Sequence, residues 1–310
     1  MSPPLAGLIA NCYLLIALIM QLKSAIDSAY ELFVANDVPS PRLNAELLAM
    51  FVLGRERSFL YGHPEYQLTD DEQSQYDEVA DQRARGCPTQ YITGHQEFWG
   101  LDLLVSPAVL IPRPETEHVV ETVLELVKEH PAELPEKLRI VDIGTGSGAI
   151  ALALASELPL ADIHACDISE EALEMAAVNA ARLGLDRHVC FSRSDLLAAY
   201  AGRQFDFVVS NPPYVGESEA DKVQKQVREF EPKVAVFSGE EGMDIYRRLV
   251  PQAHEALKAG GWFVTEIGFS AEGKVRELLA AWSEVLVTAD LQGIPRVIAA
   301  RKPLVPAASG

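Results

Sequence analysis

The stretch RIVDIGTGSGAIALALASELPLADIHACDISEEALEMAAVNAARLG, residues 139–184, decides the fold. A short branched apolar run, RIVDI, meets three glycines at alternate positions, Gly144, Gly146 and Gly148, and an Ala/Leu-rich helical stretch follows at once. The pattern then repeats, with ADIHACDI (161–168) leading into EEALEMAAVNAARLG. Further apolar runs follow at HVCFSRSDL, FDFVVS (205–210) and GWFVTEIG (261–268), with helical stretches around Met243–Lys258 and Glu272–Trp282. Buried strands alternating with helices predict a doubly wound, mostly parallel α/β sheet. VLVTADLQG and RVIAARKP have no helix between them, so they are expected to pair as a hairpin and complete seven strands. Ligands of such sheets bind at the carboxyl ends of the strands, near the point where strand order reverses.

Upstream, residues Lys23 to about Arg85 read as helical throughout. Ala25, Ile26, Ala29, Leu32 and Phe33 recur at three and four, as do Leu43, Leu47, Leu48 and Phe51. Pro39 and Pro41 punctuate the first break, and Leu68-Thr69-Asp70-Asp71-Glu72 has the pattern of a helix N-cap. The run EFWGLDLLVSPAVLI, ending at Ile111, is expected to form a β-hairpin connector over residues 94–112, between a helical domain at 20–93 and an α/β domain at 113–310. Leu5 to Met20 is apolar except for Asn11, but its 16 residues fall short of a membrane span and no Lys or Arg precedes Lys23. Residues 1–19 are therefore taken as an apolar leader from a start assigned too early, with Met20 as the natural beginning.

A chain of 310 residues suits about two domains. Its 45 acids against 26 bases give a net charge of −19, which argues against binding long DNA or an anionic membrane. Cys12, Cys87, Cys166 and Cys190 show no C-x-x-C spacing and are read as reduced, mostly buried thiols of a cytoplasmic protein. The seven histidines contain no H-x-x-x-H or H-E-x-x-H pair, so no metal is expected.

The chemistry concentrates at strand ends. Alternate glycines in Gly144-Thr145-Gly146-Ser147-Gly148 permit a tight turn and let a ligand approach the backbone N–H groups. The spacing is G-x-G-x-G, not the dinucleotide G-x-G-x-x-G. Asp167, 19 residues beyond Gly148, is placed to accept ribose hydroxyls, and Asp195 to accept an adenine amine. No Lys or Arg lies between Gly144 and Gly148, and Asp142 stands at the turn; this suits a sulfonium and an α-ammonium better than a pyrophosphate. S-adenosylmethionine is the expected ligand. The fourth strand ends in Ser210-Asn211-Pro212-Pro213-Tyr214. Two prolines stiffen the loop and remove two N–H donors, leaving the Pro212 carbonyl and the Asn211 side-chain oxygen as acceptors beside the Tyr214 ring. A planar –NH₂ is the natural guest.

These two motifs together resemble the amino-methyltransferases that use S-adenosylmethionine, with their Rossmann-like sheet. Pro88-Thr89-Gln90-Tyr91-Ile92-Thr93-Gly94, Glu97-Phe98 and Leu110-Ile111-Pro112-Arg113-Pro114-Glu115-Thr116-Glu117 further resemble the release-factor glutamine methyltransferase (PrmC/HemK) family, as do Phe230-Glu231-Pro232 and Glu266-Ile267-Gly268. The resemblance covers roughly residues 20 to 302. Leu196 stands where some members carry an aromatic, and Ser270-Ala271 where glutamine is frequent.

The resemblance implies methyl transfer to the side-chain amide nitrogen (N5) of the glutamine in a Gly-Gly-Gln motif of peptide-chain release factors. It implies Asn211, Pro212 and Tyr214 as catalytic residues, with Pro213 beside them in acceptor binding. Gly144 to Gly148, Asp167, Asp195, Leu196 and Asn211 would hold the cofactor, and Phe98, Arg113, Thr116 and Glu117 would line its pocket. The helical domain would recognise the substrate protein, and a monomer that does not bind nucleic acid directly is expected. Two alternatives share the pocket chemistry: a DNA adenine-N6 methyltransferase and a glutamine methyltransferase acting on a ribosomal protein. A third is a binding module with a vestigial cofactor site, against which Asp142, the three glycines and Asn211 all stand intact.

Overall fold

The computed structural model describes residues 20–131 and 133–304, so the apolar leader 1–19 and Cys12 lie outside the described residues. The chain divides into two compact units between Thr93 and Gly94.

The first unit is helical: α1 (Leu22–Ala35), α2 (Pro41–Leu53), α3 (Arg57–Gly62), α4 (Asp70–Ala84) and α5 (Thr89–Thr93). Pro41 occupies the first turn of α2, where its missing N–H costs nothing. The N-terminus of α4 is a full capping box, with Thr69 Oγ1 accepting from the Glu72 N–H and Glu72 accepting from the Thr69 N–H. Ala25, Ile26, Ala29 and Phe33 of α1 form the core with Ala45, Leu48 and Ala49 of α2. Here the helix α2 departs from its apolar periodicity: Leu43, Leu47 and Phe51 are 42%, 38% and 45% exposed, while the polar Asn44 and Glu46 are buried. Each buried polar group is satisfied. Asn44 bonds the Arg83 guanidinium and the Thr89 hydroxyl, and Glu46 accepts from Arg42, Arg57 and Tyr61. Those partnerships override the apolar face.

The second unit opens with a hairpin, β1 (His95–Phe98) and β2 (Leu101–Leu104), joined by the two residues Trp99 and Gly100, both at positive φ. The strained Trp99 is held by its N–H on Glu117 Oε1 at 2.8 Å and its indole N–H on Glu157 at 2.9 Å. Phe98 and Leu103 pack into the main core of this unit. Then come α6 (Glu117–Glu129), β3 (Arg139–Ile143), α7 (Ala149–Glu157), β4 (Asp162–Asp167), α8 (Glu170–Leu183), β5 (Val189–Arg193), β6 (Phe205–Ser210), the short α9 (Lys225–Phe230) and α10 (Lys233–Val236), α11 (Asp244–Ala256), β7 (Leu257–Glu266), α12 (Glu272–Leu278), β8 (Glu284–Ala289) and β9 (Pro295–Arg301).

The seven strands lie in the order β5-β4-β3-β6-β7-β9-β8. Pairing is parallel from β5 through β7, and β9 inserts antiparallel between β7 and β8, so the expected C-terminal hairpin forms. Both faces are covered. α6, α7 and α8 bury Val120, Leu152 and Ala180 against Ile140 and Phe207, while α11 and α12 bury Leu249 and Val275 on the other side against Val208 and Phe263. Each of these side chains other than Ala180 contributes about 1.5–3 kcal/mol by leaving water. Two boundaries shift from the sequence pattern: β7 begins at Leu257, where helix was expected to run on to Lys258, and α12 ends at Leu278. Chain order reverses between β3 and β6, which puts the switch point at the ends of the two motif-bearing strands. Among the described residues no helix is long and apolar enough to cross a membrane. Of the described cysteines, only Cys166 is buried; Cys87 is half-buried and Cys190 exposed.

Candidate active site

A cavity of about 290 Å³ opens at the carboxyl ends of β3, β4 and β6. Its wall includes Gly144, Thr145, Gly146, Ser147, Asp167, Asp195, Leu196, Asn211, Pro212, Pro213 and Thr116. Sequence reasoning brought these together from four separate strand ends and the loop before α6. Gly148, Tyr214, Phe98, Arg113 and Glu117 stand outside the wall. Phe98 is 1% exposed in the core, and Glu117 is the acceptor for Trp99.

The glycine loop turns with φ of +72°, +56° and +87° at Gly144, Gly146 and Gly148, which L side chains rarely adopt. At Gly148 a Cβ would also sit 3.0 Å from Leu152 and 3.3 Å from Ala176, so this glycine serves helix packing. The expectation of N–H groups open to a ligand is corrected here. Gly144 and Thr145 both donate to the Cys166 carbonyl at 2.9 Å, Gly146 to Asp167 Oδ2 at 2.9 Å, and Gly148 to the Thr145 carbonyl at 2.8 Å. Of the loop's five N–H groups, only that of Ser147 has no partner among the described residues, too few free donors for a phosphate nest. Ser147 is fixed from behind: the buried Asn179 of α8 donates to its carbonyl at 2.9 Å while bonding both backbone groups of Leu104.

Asp142 is fully buried and absent from the cavity wall. Its Oδ2 accepts from the Thr145 hydroxyl at 2.6 Å. Oδ1 makes no hydrogen bond of good geometry among the described residues, although the Ala151 N–H is near enough to favour the ionised form. Burial, with the charge of Asp167 adding to it, pushes this carboxyl up to about 7. Asp167 reaches the wall, its Oδ1 accepting from the Ser169 N–H at 3.0 Å. Asp195 also reaches it, but with Oδ2 paired to Arg248 at 2.6 Å, a partner the sequence did not reveal. Leu196 lies at φ +51°, and with Ile168 it gives the cavity apolar surface.

At the end of β6, Asn211 Nδ2 donates to Thr116 Oγ1 at 3.0 Å. Thr116 in turn donates to Glu266 Oε2 at 2.6 Å, and the Tyr214 hydroxyl donates to Glu266 Oε1 at 3.0 Å. No donor among the described residues bonds Asn211 Oδ1 or the Pro212 carbonyl. The Asn211 –NH₂ is thus tied to a side chain of another segment. Tyr214 lies behind the wall, its ring so close under Gly268 that a Cβ there would meet it at 2.9 Å. The Glu266 charge, then burial, holds the Tyr214 hydroxyl well above its usual range, so it stays protonated as a donor. Arg113 pairs with the buried Glu231, which also accepts from the Ile111 N–H at 3.3 Å and so links the Pro112 and Pro232 sides of the cavity. Glu266 and Glu231 were legible only as parts of family motifs, with no role attached.

A seven-stranded doubly wound sheet with this cavity at its switch point is that of a class I methyltransferase. A "Methyltransferase small domain" family profile matches residues 122–230, and a "PrmC N-terminal domain" profile matches 24–94. In fold, the chain is similar to the catalytic domain of hMettl16 solved with the MAT2A 3′UTR hairpin 6 (TM-score 0.53, 18% identity, 73% of this chain and 82% of that one). It is 58% identical over 285 residues to the release factor glutamine methyltransferase of Koribacter versatilis (strain Ellin345), covering 92% of this chain and 99% of that one. It is 41% identical over 264 residues to the release factor glutamine methyltransferase of Escherichia coli (strain K12), covering 84% and 92%. The chain belongs to the release factor glutamine methyltransferase family.

Proposed function

We propose that the chain transfers a methyl group from S-adenosylmethionine to the side-chain amide nitrogen of the glutamine in a Gly-Gly-Gln motif of a peptide-chain release factor. The observation that carries the reading is the Asn211 carboxamide, with Nδ2 tied to Thr116 and Oδ1 unbonded at the cavity wall.

The residues present fit S-adenosylmethionine. The glycine loop offers close approach without a phosphate nest, and Asp167 keeps lone pairs for two ribose hydroxyls; Asp142, buried behind the wall with its carboxyl raised to about 7, does not supply the anion expected at the turn. When bound, S-adenosylmethionine would supply an electrophilic methyl group to the amide nitrogen, its S–CH₃ bond breaking to leave S-adenosylhomocysteine and the displaced N–H proton leaving to water. Gly144, Thr145, Gly146 and Ser147 would seat it, with Leu196 and Ile168 flanking the base and Asp195, steadied by Arg248, at its edge.

An amide nitrogen is a feeble nucleophile, so positioning is the chain's main contribution. Asn211 Oδ1 and the Pro212 carbonyl accept its two N–H groups and stabilise the positive charge that develops on nitrogen. Pro212 and Pro213 hold that loop extended. Tyr214 supports it from behind through Glu266. The helical unit carries no cavity residue and is read as the element that recognises the substrate protein. A release factor as substrate implies a cytoplasmic enzyme. Mass spectrometry of a release factor incubated with the chain and S-adenosylmethionine tests the reading: one added methyl on the Gly-Gly-Gln glutamine is expected, and an unmodified glutamine overturns it.

A further inference from the structure

Glu266 ends β7 with its carboxylate buried, outside the cavity wall, yet it holds two residues of the acceptor loop's surroundings at once. Both of its oxygens are occupied by hydroxyl donors, Thr116 on Oε2 and Tyr214 on Oε1. That occupation has a directional consequence. A threonine hydroxyl has one hydrogen; once it is committed to Glu266, Oγ1 can only accept. The group facing it from Asn211 must then be the –NH₂, which turns Oδ1 the other way.

We infer that Glu266 is a positioning residue for methyl transfer: acting through Thr116, it fixes the Asn211 carboxamide with its oxygen toward the acceptor. This rests on the proposed function and deepens it. A carboxamide presenting oxygen receives the N–H edge of a glutamine amide. The same group flipped would present N–H to the amide carbonyl and bring the wrong atom to the methyl donor. The relay therefore reinforces the Pro212 carbonyl, which can only accept, in selecting nitrogen over oxygen within one planar substrate group. Thr116 and Glu266 are 150 residues apart in sequence, and neither is a nucleophile or base for the reaction.

The test uses the full chain, a release factor and saturating S-adenosylmethionine, with single-turnover rates, release-factor KM and cofactor Kd measured together. Thr116→Val is close to isosteric and removes the relay hydroxyl; Glu266→Gln allows the side chain to donate and reverse the chain. Both should slow methyl transfer by about 10²-fold, the scale for one misplaced transition-state acceptor, with KM and Kd little changed. Thr116→Ser should recover most of the rate lost in Thr116→Val, which a packing role for the methyl group would not give. Thr116→Val combined with Asn211→Ala should be no slower than Asn211→Ala alone, because both act through one carboxamide. Near-wild-type rates in Thr116→Val, or losses that multiply in the double variant, overturn the relay even if Glu266→Gln fails to fold. A wild-type chain that methylates the glutamine while the variants keep its rate overturns the relay alone; an inactive wild-type chain overturns the functional reading as well.

Discussion

Asn211 Nδ2 meets Thr116 Oγ1 at 3.0 Å, a bond between residues 95 positions apart. It commits the donor end of the carboxamide to the protein and leaves the acceptor end, Oδ1, without a partner among the described residues. The loop before α6 and the end of β6 are thereby joined, although four strands and three α-helices lie between them in the sequence.

Asp167 carries two loads, and removing it should disturb both. Its oxygens hold the Gly146 and Ser169 N–H groups, and its remaining lone pairs face the cavity. Asp167→Ala is expected to cost about 1.5–3 kcal/mol of cofactor binding, a tenfold to hundredfold rise in Kd. Calorimetry giving an unchanged Kd would remove Asp167 from the site.

Asp142 should make stability depend on pH. Its carboxyl is raised to about 7 from the ordinary 3.8, so the folded chain holds that proton more tightly than the unfolded chain. The stabilisation is complete below the unfolded value and is lost as pH rises through the folded one. Asn cannot ionise, so Asp142→Asn should gain in Tm relative to wild type between about pH 4 and pH 8. A Tm difference that stays constant across that range contradicts the assignment.

Asn179 has three good hydrogen bonds and no exposure, and it joins β2 to the glycine loop. Asn179→Ala would strand two groups of Leu104 and the Ser147 carbonyl. The expected loss is about 2–4 kcal/mol, or roughly 5–10 °C in Tm, accompanied by weaker cofactor binding. Thermal melts with and without S-adenosylmethionine measure both effects; a variant that melts with wild type shows that water replaces the amide.

The helical unit has its own core around Phe33, Leu48 and Tyr76. A chain beginning at Gly94 should keep its cofactor affinity and lose most of its rate on an intact release factor. Full activity of that shortened chain on the whole protein would refute a recognition role.

What the sequence made legible was local. The strand–glycine–helix pattern at 139–148 and Asn211-Pro212-Pro213 each sit within a few residues, and backbone rules for glycine and proline suffice to place them at strand ends. The hydrogen-bond partners were not legible, because Glu266, Thr116, Arg248 and Asn179 reach the site only through tertiary packing. In α2 the periodicity pointed to Leu43, Leu47 and Phe51, yet Asn44 and Glu46 were drawn inward by arginine partners from other helices. The glycine loop showed the same limit: its φ angles followed from residue type, but the spending of its N–H groups on Cys166 and Asp167 required the neighbouring strand.

Methyl transfer is expected to depend on Asn211 Oδ1 holding the acceptor amide. Asn211→Ala removes that acceptor, and Asn211→Asp removes the donor to Thr116 while adding a second, charged acceptor. The direct measurement is the single-turnover rate of methyl transfer to a release factor at saturating S-adenosylmethionine. We predict that Asn211→Ala falls by about 10²–10³-fold with cofactor Kd preserved, and that Asn211→Asp is also impaired. Rates within a few-fold of wild type for both variants would contradict the account.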